Sequence, residues 1–429
     1  MHLTTARNIG HPEGSWYADT VGRLNLLAFE GEADTDVAII GGGYTGLGAA
    51  LELASKGVAV TLLEGAEIGS GASGRNGGQI HTGQRVDPET LEGQLGTDAA
   101  RELWEMAETA KAHLLGLIST HGIDCDLRHG LIHAWHRPRF AEEDRAYADF
   151  VSQRYGYDKL HFMDTAEVAA ELGTDVYHGG LFDAGGGHLH PLKLAQGMAK
   201  AALSAGATLY ERSRVTRYET TADGVILHLK NGTLRARKLL ICGNGYMPGL
   251  DAQVDAHVLP INNFILTTAP LPDGAILPHG FAAADSRFVV NYWRKTQDNR
   301  LLFGGGENYT PWFPKDIRAF VRRNMLKVYP QLADIEITHG WGGTLAITLS
   351  RAPFVRLLTP DVWVSAGYSG QGVVLAPYFG ALLARAVTGD RRDAELLSQL
   401  RTPPFPGGKW LRTPAMIAGL SWYAIRDRL

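Results

Sequence analysis

The chain alternates short apolar runs with stretches of helical periodicity. Residues 37–40 read VAII, apolar on both faces and suited to a buried strand. Leu47, Ala50, Leu51 and Ala54 follow at helical spacing, and Gly57 marks the stop. A second strand pattern, VAVTLL, covers 58–63 and ends on Glu64. The strand-to-glycine transition recurs in LLICGNGY (239–246). Residues 362–387 give a strand, a glycine loop and a helix starting near Gly372. Between these units, residues 89–160 read largely as amphipathic helix, with Leu103, Ala107, Ala110 and Leu114 on one face. Residues 255–340 read as strands with turns, and FVVNYWRKTQDNRLLFGGG predicts a hairpin about Asp298-Asn299.

The first unit carries chemistry. Gly41, Gly43 and Gly46 fall at G-x-G-x-x-G spacing between the strand and the helix that Tyr44 and Thr45 open. Gly41 permits a tight turn, Gly43 lets a pyrophosphate approach the backbone, and Gly46 lets the helix pack on the strand. The helix N-terminus offers N–H groups to the phosphate, and Glu64 can accept from an adenosine ribose. Strand, glycines, helix, second strand and acid in register point to a dinucleotide. A glycine-rich turn in another α/β unit is the alternative.

Glycine is the outlier in composition, at 52 residues. After Glu64 the chain runs at once into EIGSGASGRNGGQIH (67–81) rather than further strands and helices. A loop with so few Cβ atoms can wrap a long polar ligand with its amides, which favours FAD over a nicotinamide dinucleotide. A helix N-terminus near Gly372 would favour the negative charge of a reduced flavin. The remaining composition, 45% hydrophobic and 20% charged with net charge −4, gives no reason to expect nucleic acid or an anionic membrane. Cys125 and Cys242 read as free thiols in a reducing cytoplasm. No signal peptide or transmembrane helix is expected.

These segments resemble the D-amino-acid-oxidase-type FAD-dependent oxidoreductases, and within them the branch that includes γ-glutamylputrescine oxidase and L-pipecolate oxidase. The resemblance rests on GGGYTGLGAALELASKG with Glu64, GASGRNGGQ and GGGHLHP (185–191). It rests equally on NRLLFGGGE (299–307), WGGTLAITLSRAP (341–353), GYSGQGVVLAPYFG (367–380) and PFPGGKWLRTP (404–414). It implies an α/β fold (α+β overall), with a Rossmann-type FAD-binding domain and a discontinuous antiparallel-sheet substrate domain. The FAD-binding parts would be 36–88, 187–250 and 341–400. The substrate parts would be 89–186, mostly helical, and 251–340, a sheet. An N-terminal arm (1–35) and a C-terminal docking helix (401–429) would flank them.

By the same resemblance Gly41, Gly43, Tyr44, Thr45, Gly46, Glu64 and Gly65 would hold the ADP half of FAD. Ala72, Ser73, Arg75, Asn76, Gly77, Gly78 and Gln79 would line the pyrophosphate, ribityl chain and flavin edge. Val215, Gly243 and Asn244 would close over the nucleotide, and Gly370, Gln371, Gly372 and Val373 would reach the ribityl and pyrimidine end. WGGTLAIT lacks the cysteine that sarcosine-oxidase relatives use for covalent attachment, so FAD is expected to be non-covalent. Those relatives also hold a substrate carboxylate with a lysine where this chain has Val373 and Val374.

Flavin oxidation of an amine needs alignment and exclusion of water more than acid–base machinery. Substrate contacts are sought among His81, Tyr292, Arg294, Trp341, Arg351 and Tyr368, with Tyr246 and Trp293 as further aromatic walls. Core packing competes for each aromatic, and Arg75 is assigned to the cofactor. His188 and His190 form H-x-H, but Pro191 opens a helix directly after them, so a structural turn is preferred to a metal site. The implied activity is oxidation of a C–N bond in a small amine or amino acid, with oxygen or a quinone as acceptor. A non-enzymatic flavoprotein is the rival class.

Overall fold

The computed structural model describes residues 12, 14–272, 274, 276–308 and 312–406. The docking helix expected in 401–429 lies almost wholly outside them. Two sheets organise the fold. The first runs β16 (Phe354–Thr359), β17 (Val362–Ala366), β10 (Gly232–Ile241), β1 (Gly31–Ile40), β2 (Val60–Leu63) and β7 (Thr208–Tyr210). In it β17, β10, β1, β2 and β7 are parallel neighbours, while β9 (Gly224–Leu229) and β8 (Val215–Thr221) extend β10 as an antiparallel flap.

The second sheet runs β15 (Ile337–Ile347), β11 (Leu259–Pro270), β14 (Arg300–Asn308), β13 (Tyr292–Lys295), β12 (Ala282–Asp285), β4 (Arg128–Ala134), β6 (Gly180–His188) and β3 (Gln79–Ile80). Strand β5 (Leu160–Met163) also pairs with β6. The predicted hairpin forms between β13 and β14, with Asn299 in the left-handed region at φ 59°. The sheet is antiparallel throughout except for β12 beside β4, which run parallel.

Helices α1 (Trp16–Thr20), α2 (Tyr44–Ser55), α3 (Pro88–Leu95), α4 (Thr97–Thr120), α5 (Phe140–Tyr155) and α6 (Thr165–Leu172) precede α7 (Pro191–Ser204). Then come α8 (Ala252–His257), α9 (Ile317–Val328), α10 (Gly372–Val387) and α11 (Arg392–Ser398). The crossing of α2 and α10 is close because both helices are bare there. A Cβ on Gly48 would sit 2.1 Å from the Pro377 carbonyl oxygen, and one on Gly380 would sit 2.0 Å from that of Thr45. This crossing brings the N-termini of both helices to one place.

Three features depart from the sequence expectation. The apolar face of α4 (Leu103, Ala107, Ala110, Leu114) packs in one core with Leu47, Leu51, Leu375 and Leu382, on the side of the first sheet. The stretch expected to be mostly helical contributes β4, β5 and β6 to the second sheet. Residues 79–80 and 341–347, expected with the dinucleotide-binding unit, are strands of the second sheet. Each involves partners far apart in the chain, which periodicity does not report. No single helix among the described residues is long and apolar enough to cross a membrane.

Candidate cofactor site

A cavity of about 410 Å³ opens where the carboxyl ends of β1, β2 and β10 meet the N-termini of α2 and α10. Gly41 makes the turn out of β1 at φ +108°, and a Cβ on it would lie 2.8 Å from the Cys242 carbonyl. A Cβ on Gly46 would lie 1.9 Å from the Gly41 oxygen, which fixes why the third glycine of the motif is bare. Neither α2 nor α10 has a side-chain N-cap bond; the first amide of α2, that of Tyr44, donates to Ser73 Oγ at 3.0 Å. First-turn amides and the positive ends of two helix dipoles therefore converge on the cavity.

Glu64 closes one end. Its Oε2 accepts from the Gly42 amide and its Oε1 from the Ala66 amide, both at 2.7 Å. Burial raises its carboxyl pKa, opposed by those amide hydrogen bonds. Each oxygen keeps a further lone pair, so the side chain can still accept from a ligand.

Gly41, Gly43, Tyr44, Thr45, Glu64, Gly65, Ala72, Ser73 and Asn76 line the cavity, as do Val215, Gly243, Asn244, Gly370, Gly372 and Val373. Of the aromatic candidates, Tyr246 and Tyr368 line it. The Tyr368 hydroxyl lies 2.7 Å from Thr45 Oγ1 and 2.7 Å from Ser365 Oγ, tying α2 to β17. Arg214, Thr216 and the run Met247–Leu250 also line the cavity and were not anticipated. The Pro248-Gly249 turn marker was the one signal in the sequence that could have found that run.

Other expected contacts lie outside the lining. Gly46 is buried between α2 and β1. Arg75 is 3% exposed; its Nε donates to the Ser70 carbonyl at 2.7 Å and its Nη1 to the Gly342 carbonyl at 3.0 Å. The guanidinium thus braces the loop against β15, and burial lowers its pKa. Gly77 and Gly78 are bare for internal reasons, since Cβ atoms would meet the Tyr292 ring at 2.6 Å and the Leu189 carbonyl at 2.0 Å. Gln79 donates to the Ala283 carbonyl at 2.8 Å, and Gln371 Nε2 to the Gln84 carbonyl at 3.4 Å.

The substrate candidates divide. Trp341 is buried, donates to the Arg75 carbonyl at 3.0 Å and packs on Tyr17, so it is core. Trp293 is stacked between Tyr177 and Phe303 and is core too. Arg294 is buried on the Gly77 carbonyl at 2.8 Å, and Tyr292 donates to Asn263 Oδ1 at 2.5 Å. His81 is partly buried, and burial with nearby Arg85 and His133 brings its pKa down to about 4. Arg351, at φ +66°, lies close enough to Arg85 to lower its pKa further beyond the effect of burial. His190 caps α7 by accepting from the Lys193 amide, and His188 Nε2 lies 2.9 Å from the Gly280 carbonyl.

The cradle fits FAD: bare glycines where a Cβ would close the floor, two uncapped helix N-termini, and an acid at the end of β2. The known proteins agree. Residues 36–386 match the family model described as FAD dependent oxidoreductase. The chain is 45% identical over 421 residues to the probable oxidoreductase OrdL of Rhizobium meliloti, covering 97% of this chain and 98% of that one. It is 35% identical over 425 residues to the gamma-glutamylputrescine oxidoreductase of Escherichia coli, with the same coverage. Among solved structures it resembles glycine oxidase from Geobacillus kaustophilus with TM-score 0.70 at 24% identity, over 83% of this chain and 95% of that one. With the fold, the glycine cradle and the sequence likeness in accord, the chain belongs to the family of FAD-dependent oxidoreductases of D-amino-acid-oxidase type, and FAD is its cofactor.

Proposed function

We propose that the protein oxidises a C–N bond in a small amine or amino acid, with a γ-glutamylated amine such as γ-glutamylputrescine as first choice and a secondary amino acid such as L-pipecolate as second. The observation that carries this reading is the likeness, along 97% of the chain, to the gamma-glutamylputrescine oxidoreductase. FAD, when bound, would supply an acceptor for the hydride that leaves the carbon bearing nitrogen, and a route for the two electrons to oxygen or a quinone. Loss of that hydride and of the nitrogen proton leaves an imine, which water hydrolyses.

The chain's own residues bind and orient. Glu64 and the glycine turn hold the nucleotide end, while Ser73, Asn76 and the first turn of α10 hold the rest. His81, kept neutral above about pH 4, offers a hydrogen-bond acceptor to the substrate amine rather than a base for its proton. Arg351 serves as an anchor for a substrate carboxylate. A cytoplasmic location fits this reading.

Anaerobic titration with γ-glutamylputrescine, pipecolate, proline and sarcosine tests it. Bleaching of the yellow flavin by one of them is expected; no bleaching by any refutes it. Peroxide release without an added acceptor identifies an oxidase, and turnover only with a quinone identifies a dehydrogenase.

A further inference from the structure

Three consecutive carbonyls of the glycine loop are held by side chains from three distant parts of the chain. Trp341 Nε1 donates to the Arg75 oxygen at 3.0 Å, the Tyr17 hydroxyl to the Asn76 oxygen at 2.7 Å, and Arg294 Nε to the Gly77 oxygen at 2.8 Å. Tyr17 is fully buried and the other two are 2% exposed. Arg294 Nη2 also donates to the Tyr17 hydroxyl at 3.2 Å, so two of the three donors brace each other.

In a trans peptide the C=O and the following N–H point in opposite directions. Fixing the oxygens of residues 75 and 76 therefore fixes the N–H groups of Asn76 and Gly77, aimed away from the three donors. The next amide, that of Gly78, is satisfied by Asn76 Oδ1 at 2.7 Å. The Asn76 and Gly77 amides donate to no described residue, and Asn76 lines the cavity. Unpaired amides in such a place want an acceptor.

We propose that Tyr17, Trp341 and Arg294 form a carbonyl clamp that holds the glycine loop so that the Asn76 amide meets an electron-rich oxygen of the bound dinucleotide. The N-terminal arm, which precedes the family match at residue 36, is then part of the cofactor site. Its seat is built accordingly. Ser15 caps α1, Thr20 Oγ1 lies 3.0 Å from His190 Nε2, and Asp19 Oδ2 lies 2.9 Å from His339 Nε2. Tyr17 and Trp341 act as positioning residues, through the backbone they hold.

The acceptor is a phosphate oxygen or a carbonyl oxygen of the flavin ring, and one experiment separates them. Apoprotein of the wild type, Tyr17→Phe and Trp341→Phe is titrated with FAD and, separately, with ADP, and the melting temperature of each apoprotein is recorded. Loss of one clamp bond raises the FAD Kd about five- to tenfold in each variant. If ADP affinity falls by the same factor the acceptor is phosphate; if only FAD affinity falls it is the ring. FAD affinity within twofold of wild type in both variants, with only the apoprotein melting lower, overturns the clamp. No substrate enters the measurement, so its outcome is independent of the proposed reaction.

Discussion

The ligand end of the first sheet and the facing strands of the second are both rich in glycine and polar groups, yet they use them in opposite ways. At the ends of β1, β2 and β10 the polar groups are mostly backbone and much of it is left open, with uncapped helix N-termini and a carboxylate with spare lone pairs. Along β13 and β15 most polar side chains are consumed, the buried Trp293 indole N–H being an exception. Arg294, Trp341 and Tyr292 each spend their donors inside the protein, on Gly77, Arg75 and Asn263. A cofactor end is built by withholding partners, and the wall behind it by supplying them.

The largest test of this contrast is Gly46→Val. Its Cβ would enter a space where the Gly41 oxygen lies 1.9 Å away, and the two nearest atoms are Gly41 backbone of the motif itself. Destabilisation of about 3 kcal/mol or more is expected, with no FAD retained, read from denaturant unfolding and the visible spectrum. A yellow, stable variant would mean the cradle is not set by backbone approach.

Arg294→Met probes the other region. It strands the Gly77 carbonyl and removes the bond that the Tyr17 hydroxyl accepts, while that hydroxyl still donates to Asn76, at a cost of about 2 kcal/mol in stability. Weaker FAD retention and an unchanged KM for the amine mark a strut; a KM raised more than tenfold with stability intact marks a substrate anchor, and the contrast fails.

That contrast also explains what was legible in the sequence. Gly41, Gly43, Gly46 and Glu64 act within one βαβ unit, so spacing alone located them. Arg75 was expected at the cofactor through the family resemblance, and Arg294 was sought as a substrate contact. Their partners at Gly342 and Gly77 are 267 and 217 residues away, and no local pattern carries that information. Tyr17 had no signal at all, since it stands in an arm without a motif. The face of α4 was read as apolar and expected in the substrate unit, and it packs with α2 and α10, because periodicity says that a face is buried but not against what.

Acid titration separates the regions next. Burial lowers the pKa of His81 to about 4, of His188 to about 3 and of His190 to about 2. Unfolded histidines bind protons below about pH 6.5. From there down to about 4 the unfolded chain binds more protons than the native one, so stability is full above this window and falls as pH drops through it. The slope is on the order of 1 kcal/mol per pH unit for each histidine. Glu64 has the opposite sign, because burial raises its pKa and its contribution favours acid. His81→Asn should flatten the acid limb of the unfolding profile; an unchanged slope would show that His81 is not held neutral by the fold.

The smallest effect belongs to Tyr368, inside the open end of the first sheet. It lines the cavity, yet its hydroxyl is engaged by Thr45 and Ser365 at 2.7 Å each. Burial also raises its pKa, so it remains a neutral phenol across the working range. Tyr368→Phe keeps the ring and removes only that link. Thr45 and Ser365 carry rotatable hydroxyls that can find other acceptors, so the loss should be about 1 kcal/mol, with FAD Kd and amine KM within about twofold of wild type. Unfolding curves and steady-state kinetics on one preparation give all three numbers. A tenfold rise in KM with FAD affinity unchanged would make the hydroxyl a substrate contact, and would extend the open, partner-withholding end of the site past the cofactor to the substrate.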